Sequence, residues 1–101
     1  LVRWGVIRGR FRNSMSLPEP FEPNKPTLVK FKLLDVLHTI KRGHTIQIQV
    51  QSSMFPFLDL NPQKYVDNIF NAKAEDFVKA EHKLYHSVQY PSSIQFSVLA
   101  N

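Results

Sequence analysis

The sequence contains no cysteine and only three glycines in 101 residues. Without thiols there is neither a disulfide scaffold nor a thiolate metal site. None of the glycines, Gly5, Gly9 and Gly43, flanks a serine, so the G-x-S-x-G turn that exposes a hydrolase nucleophile is missing. The phosphate loop, the dinucleotide fingerprint and the H-E-x-x-H zinc helix are missing as well. No apolar run approaches the ~20 residues that cross a bilayer. Residues 1–12 hold four arginines where a signal peptide needs an apolar centre. These absences exclude the named chemistries, though not a site assembled from scattered side chains.

What is present suits a folded domain: 43% hydrophobic, 21% charged and 12% aromatic residues, with seven prolines. Proline and aromatics in these proportions favour strands and rigid loops over a helical bundle. A length of 101 residues fits one domain, able to hide roughly 60–70% of its unfolded surface. The net charge of +5 is uneven, with nine basic and three acidic residues before position 51 and four basic and five acidic after it. Such an excess attracts nucleic acid or anionic surfaces. Yet Arg8, Arg10 and Arg12 alternate along one segment, which is equally the wet face of a strand. No basic motif interleaved with aromatics accompanies them, so neither nucleic acid nor membrane is expected as a partner.

Period-two alternation, the mark of a half-buried strand, runs through residues 2–6 and, in opposite phase, residues 7–12. The phase switch between Val6 and Ile7, beside a glycine, suggests a β-bulge. The chain thus starts inside a strand-like pattern without turn or cap, as a severed portion of a larger domain would. Residues 13–26 carry Pro18, Pro20, Pro23 and Pro26. They read as a rigid loop anchored by Phe21, with a proline-rich ligand as the competing reading. Val29, Phe31 and Leu33 mark the next strand, and Gly43 a turn at residues 41–44. Residues 45–51 give the clearest strand, with Ile46, Ile48 and Val50 on one face and Gln47, Gln49 and Gln51 on the other. Residues 52–62 form an aromatic, proline-rich loop. Ala74, Phe77 and Val78 stand at helical spacing over residues 74–80, with Asn71 as a candidate cap. Residues 83–88 and 93–99 complete the set as strands, divided by a turn at residues 90–92. The expected fold is mainly β, a partial jelly-roll β-sandwich with one short helix. A full jelly roll takes about eight strands, and about five are legible.

Chemistry-bearing residues are sparse. His82 and His86 are four apart, a metal pair if helical, but no third ligand accompanies them. Asp35 and His38 with any of eight serines invite a triad. Geometry rather than ingredients defines one, however, and a hydrogen-bonded pair ordering a turn is the plainer reading. Asp59, Glu75 and Asp76 read as loop and helix-start carboxylates. No catalytic, cofactor-binding or metal residue is assigned.

Several stretches together resemble one family. They are Val6 to Ser14 (VIRGRFRNS) followed by Pro18-Glu19-Pro20-Phe21, and Asp35-Val36-Leu37-His38-Thr39 leading to Lys41-Arg42-Gly43-His44. The sharpest is Gln49 to Pro56 (QVQSSMFP), continuing to Asp59-Leu60-Asn61-Pro62-Gln63; Ala74 to Phe77 and Tyr90 to Ile94 follow in order. This succession resembles the C-terminal domain of the cocaine esterase and X-prolyl dipeptidyl-peptidase hydrolases, nearest the branch of α-amino-acid ester hydrolases and glutaryl β-lactam acylases. Met54 stands where such proteins often have tryptophan, and Ala74 where proline is common.

The resemblance implies a three-part parent: an α/β-hydrolase domain carrying the catalytic serine, aspartate and histidine, a helical cap, and a C-terminal jelly roll of galactose-binding-like shape. Residues 1–101 would be a single accessory domain, with the catalytic and cap domains outside it. It would act without catalytic residues or cofactor, supporting the acyl pocket and subunit contacts, and homo-oligomers and a periplasmic or secreted location are compatible with it. The competing expectation is a stand-alone carbohydrate- or ligand-binding module. Its supports are the glutamine face of residues 45–51 and the aromatic pair Phe55 and Phe57.

Overall fold

A computed structural model describes residues 1–100. The chain divides into two compact units, Leu1–Val50 and Gln51–Asn101. Among the described residues the regular elements are three single 3-10 turns, Gly9–Phe11, Ile69–Asn71 and Ala74–Asp76.

The expectation of a mainly β jelly-roll sandwich is overturned, because the described residues contain no strand. No backbone–backbone hydrogen bond leaves residues 27–40 or 45–51. A strand makes no hydrogen bonds within itself and exists only when a neighbour accepts its ladder. Alternation therefore reports which face is apolar without supplying the partner. What forms instead is what a chain can close locally: turns, side-chain caps and clasps.

Burial tells the same story. The chain exposes 10032 Å², where a folded monomer of 11.8 kDa exposes about 5,900 Å². No hydrophobic side chain is buried among the described residues, and Pro62 is the one buried residue there.

In the unit Leu1–Val50, Gly5 lies against the side chains of Phe31 and Leu33, so closely that a Cβ would collide with Leu33. The two segments touch without sharing a ladder. Gly9 opens a 3-10 turn, closed by Phe11 N–H to Arg8 O at 2.8 Å and Arg12 N–H to Gly9 O at 3.2 Å, and the expected β-bulge does not form among residues 1–12. The turn expected at residues 41–44 is present. His44 N–H reaches Lys41 O at 3.1 Å, and Gly43 takes φ +85°, which side chains rarely tolerate.

In the unit Gln51–Asn101, the helix expected over residues 74–80 shortens to the turn Ala74–Asp76. Asp76 N–H donates to Lys73 O at 2.9 Å, and Asp76 Oδ2 accepts from Lys73 N–H at 3.0 Å. Phe77 then leaves at ψ 104°, so the costly first turn is never extended. Asn71 does not cap it. Asn71 ends the preceding turn, whose own cap is Asn68 Oδ1, accepting from Phe70 N–H at 2.9 Å. The last bend lies at residues 87–90, slightly before the expected position. Ser87 Oγ accepts from Tyr90 N–H at 3.0 Å, Ser92 Oγ donates to Tyr85 O at 2.6 Å, and the two tyrosine rings meet edge to face at 5.5 Å.

Candidate functional site

Three side-chain clusters stand out. The first centres on Arg12, whose side chain is 4% exposed. Its Nη1 donates to Gly9 O at 2.9 Å and Glu19 O at 2.8 Å, and its Nη2 to Pro20 O at 3.0 Å. Nη2 also lies 3.3 Å from the Glu19 carboxylate, and the guanidinium stacks 4.1 Å from the Phe21 ring centre. Asn13 Nδ2 holds the other Glu19 oxygen at 2.8 Å. Only a planar fork spans several acceptors and stacks on a ring at once. Phe21 does anchor the proline-rich segment, against Gly9 and beneath Arg12. At the start of the segment Ser14 Oγ accepts from Ser16 N–H at 3.3 Å and Leu17 N–H at 3.1 Å.

The second cluster closes the neck of the aromatic loop. Asn61 Nδ2 donates to Ser52 O at 3.0 Å, and Gln63 Nε2 to Ser52 Oγ at 2.8 Å. Gln63 N–H donates to Asn61 Oδ1 at 3.0 Å, and Gln63 Oε1 lies 2.9 Å from His82 Nε2. Since the Gln63 amide NH2 already donates to Ser52, its oxygen is the acceptor and His82 Nε2 the donor. Sequence reading missed this group. Its one signal was Gln63 closing the Asp59-Leu60-Asn61-Pro62-Gln63 stretch, with no hint of His82 as its partner.

The third is the Lys64–Asp76 pair at 2.8 Å. Asp76 also holds the Lys73 amide. A polar hollow of about 420 Å³ is lined by Lys64, Tyr65, Asp67, Asn68, Asn71 and Asp76 among others. The hydrogen bond from Lys64, then that from the Lys73 backbone, hold the Asp76 carboxyl below its ordinary value; the bond to Asp76 raises Lys64. A lowered carboxyl stabilises fully above the ordinary aspartate range and loses that contribution as pH falls through its lowered value. A raised lysine contributes fully below the ordinary lysine range and loses it as pH rises through its raised value. The link is therefore intact across neutral pH. Carbon-13 NMR titration should place the Asp76 midpoint below ~3.9, the ordinary aspartate value. Lys64→Ala should move it upward, and an unmoved midpoint contradicts the pairing.

Other sequence candidates are not assembled. Asp35 and His38 form no hydrogen bond, so neither a triad nor the bonded turn exists there. Among the described residues no three His, Asp or Glu side chains are grouped to hold a metal ion. Gln47, Gln49 and Gln51 are all exposed, as are Ile46, Ile48 and Val50, so the two faces of that segment are not divided into wet and dry. No helix of the described residues is long and apolar enough to cross a membrane.

Residues 1–95 match the family described as the X-Pro dipeptidyl-peptidase C-terminal non-catalytic domain. The chain belongs to this family. Among curated proteins it is 26% identical over 95 residues to a cocaine esterase from Rhodococcus sp. (strain MB1 Bresler). That match covers 94% of the chain but spans 16% of the relative's length. No solved structure matches. As an X-Pro dipeptidyl-peptidase C-terminal domain, the chain is a non-catalytic module of a hydrolase family. The Arg12 cluster and the loop neck both fall inside the matched residues.

Proposed function

We propose that the chain serves as the non-catalytic part of a serine hydrolase acting on ester or amide bonds, an acyl esterase, acylase or X-prolyl peptidase. There it braces the α/β-hydrolase and cap domains and helps shape the acyl pocket and subunit contacts. The observation carrying this reading is the absence of buried hydrophobic side chains among the described residues, in a chain that matches a non-catalytic hydrolase domain over residues 1–95. Patches beyond a few hundred square ångströms on a soluble protein mark surfaces meant for contact. In unit Leu1–Val50 a groove of about 440 Å³ lined by Trp4, Val6, Phe31, Leu33 and Leu34 offers one such surface. Each large side chain covered there stabilises the assembly by about 1.5–3 kcal/mol before the costs of association.

The isolated chain, added to an activated amino-acid ester, should give no turnover above buffer. Hydrolysis abolished by replacing a single serine of this chain would overturn the reading.

A further inference from the structure

We infer that residues 53–60 form a preformed docking loop, held in shape by Gln63, whose tip at Phe57 is taken up by the hydrolase part of the larger protein. The inference rests on the bracing role proposed above and names the element that carries it.

The loop's two ends are tied together. Ser52 receives Asn61 on its carbonyl and Gln63 on its hydroxyl, while Pro62, between those two donors, is buried and its carbonyl is held by Val78 N–H at 2.9 Å. Compact loops of about 6–16 residues with joined ends are commonly functional. Gln63 is the keystone. Its backbone donates to Asn61, its amide reaches Ser52 and His82, and it sits at φ +62°. A side-chain-bearing residue occupies that region at a cost and stays there when its surroundings over-determine it.

Inside the loop, Leu58 N–H donates to Met54 O at 3.1 Å and Phe55 N–H to Ser53 Oγ at 3.4 Å. Met54 and Leu58 are half-buried, whereas Phe57 is 82% exposed. The loop thus spends two of its backbone N–H groups on itself and turns two aromatic rings outward, Phe57 and, less fully, Phe55 at 63%. Ordering entropy is already met before any partner arrives, which is what makes a contact strong for its area.

The occupant is the catalytic part of the same protein rather than a free ligand. In the cocaine esterase relative the matched segment takes up 16% of the length, so most of that polypeptide lies outside the segment and is available to cover it. Phe55 and Phe57 stand among Met54, Pro56, Leu58 and Leu60, an apolar run that suits an apolar protein surface better than a sugar.

Chymotrypsin cleavage of the Phe57–Leu58 bond tests both halves. Gln63→Gly still permits φ +62° while it removes the side-chain bonds and loosens the backbone. In the isolated chain it should speed cleavage about tenfold to thirtyfold, the loss of one or two hydrogen bonds, and Lys79→Ala should leave the rate unchanged. In the whole hydrolase carrying this chain, cleavage at Phe57 should be at least about tenfold slower than in the isolated chain, as burial of one large side chain requires. Equal rates for Gln63→Gly and the parent overturn the clasp. If Phe57 is cut equally fast in both settings while Trp4 and Phe31 become shielded in the hydrolase, the docking loop fails and the bracing role stands. If none of these side chains is shielded, the bracing role itself falls.

Discussion

Replacing Arg12 by alanine is expected to release residues 13–26 from the turn Gly9–Phe11. The guanidinium joins carbonyls of Gly9, Glu19 and Pro20 and covers Phe21. Alanine leaves those acceptors without their donor and uncovers the ring. Hydrogen bonds to charged groups contribute about 1.5–3 kcal/mol each in well-formed sites. Glu19 is more than half exposed, so its ion pair adds little. A net loss of about 2–3 kcal/mol corresponds to an open segment some ~30–150 times more populated. The reporter is the Glu19 amide, which donates to Arg10 O at 2.7 Å. Its hydrogen exchange should accelerate by that factor in Arg12→Ala. Arg12→Lys should be nearly as disruptive, because an ammonium supplies a charge without the planar fork. Exchange at the parent rate in both variants would contradict the clasp.

The second large effect concerns Gly9. A Cβ there would meet the Phe21 ring, with Phe21 Cζ only 2.9 Å away. The ring sits under Arg12, so it moves only by abandoning that stacking. Gly9→Val should therefore cost about 1–3 kcal/mol in closure of the segment, the usual range for overpacking. The diagnostic comparison is the double variant. Phe21→Ala removes the obstacle, and Gly9→Val should then add almost nothing, a non-additivity expected only of groups in contact. The same Glu19 amide reads all three variants. Strict additivity would mean that the ring and the glycine are not facing neighbours.

Sequence reading was most reliable where the chemistry is local. Gly43 and its turn needed only one residue free to take positive φ, and Phe21 was recognisable as the lone aromatic in a proline-rich stretch. Family membership was legible because motifs in a fixed order survive without any knowledge of packing. The sheet was the misreading. Residues 45–51 alternate cleanly, yet alternation specifies faces and says nothing about who accepts each amide, and here no neighbouring segment does. The helix over residues 74–80 failed for a related reason: three apolar positions at helical spacing give direction, but one capped turn does not propagate without packing. Arg12 was read as one of three alternating wet-face arginines, although its side chain is nearly inaccessible. Nothing in a list of residues showed that carbonyls from residues 9, 19 and 20 converge on it. The Ser52, Asn61, Gln63 and His82 group was hidden in the same way, since its members are up to thirty positions apart.

A molecule built of clasps, with its apolar side chains outward, is intelligible as a module that completes itself against another body. Phe70, Val88, Phe96, Val98 and Leu99 are exposed, Val88 fully, and none is buried among the described residues. Hydroxyl-radical footprinting reads such cover side chain by side chain. Performed on the isolated chain and on the hydrolase proposed to carry it, it should show these five residues reactive in the first and markedly shielded in the second. Equal reactivity in the two would contradict the claim that the apolar surface exists to be covered by the catalytic part.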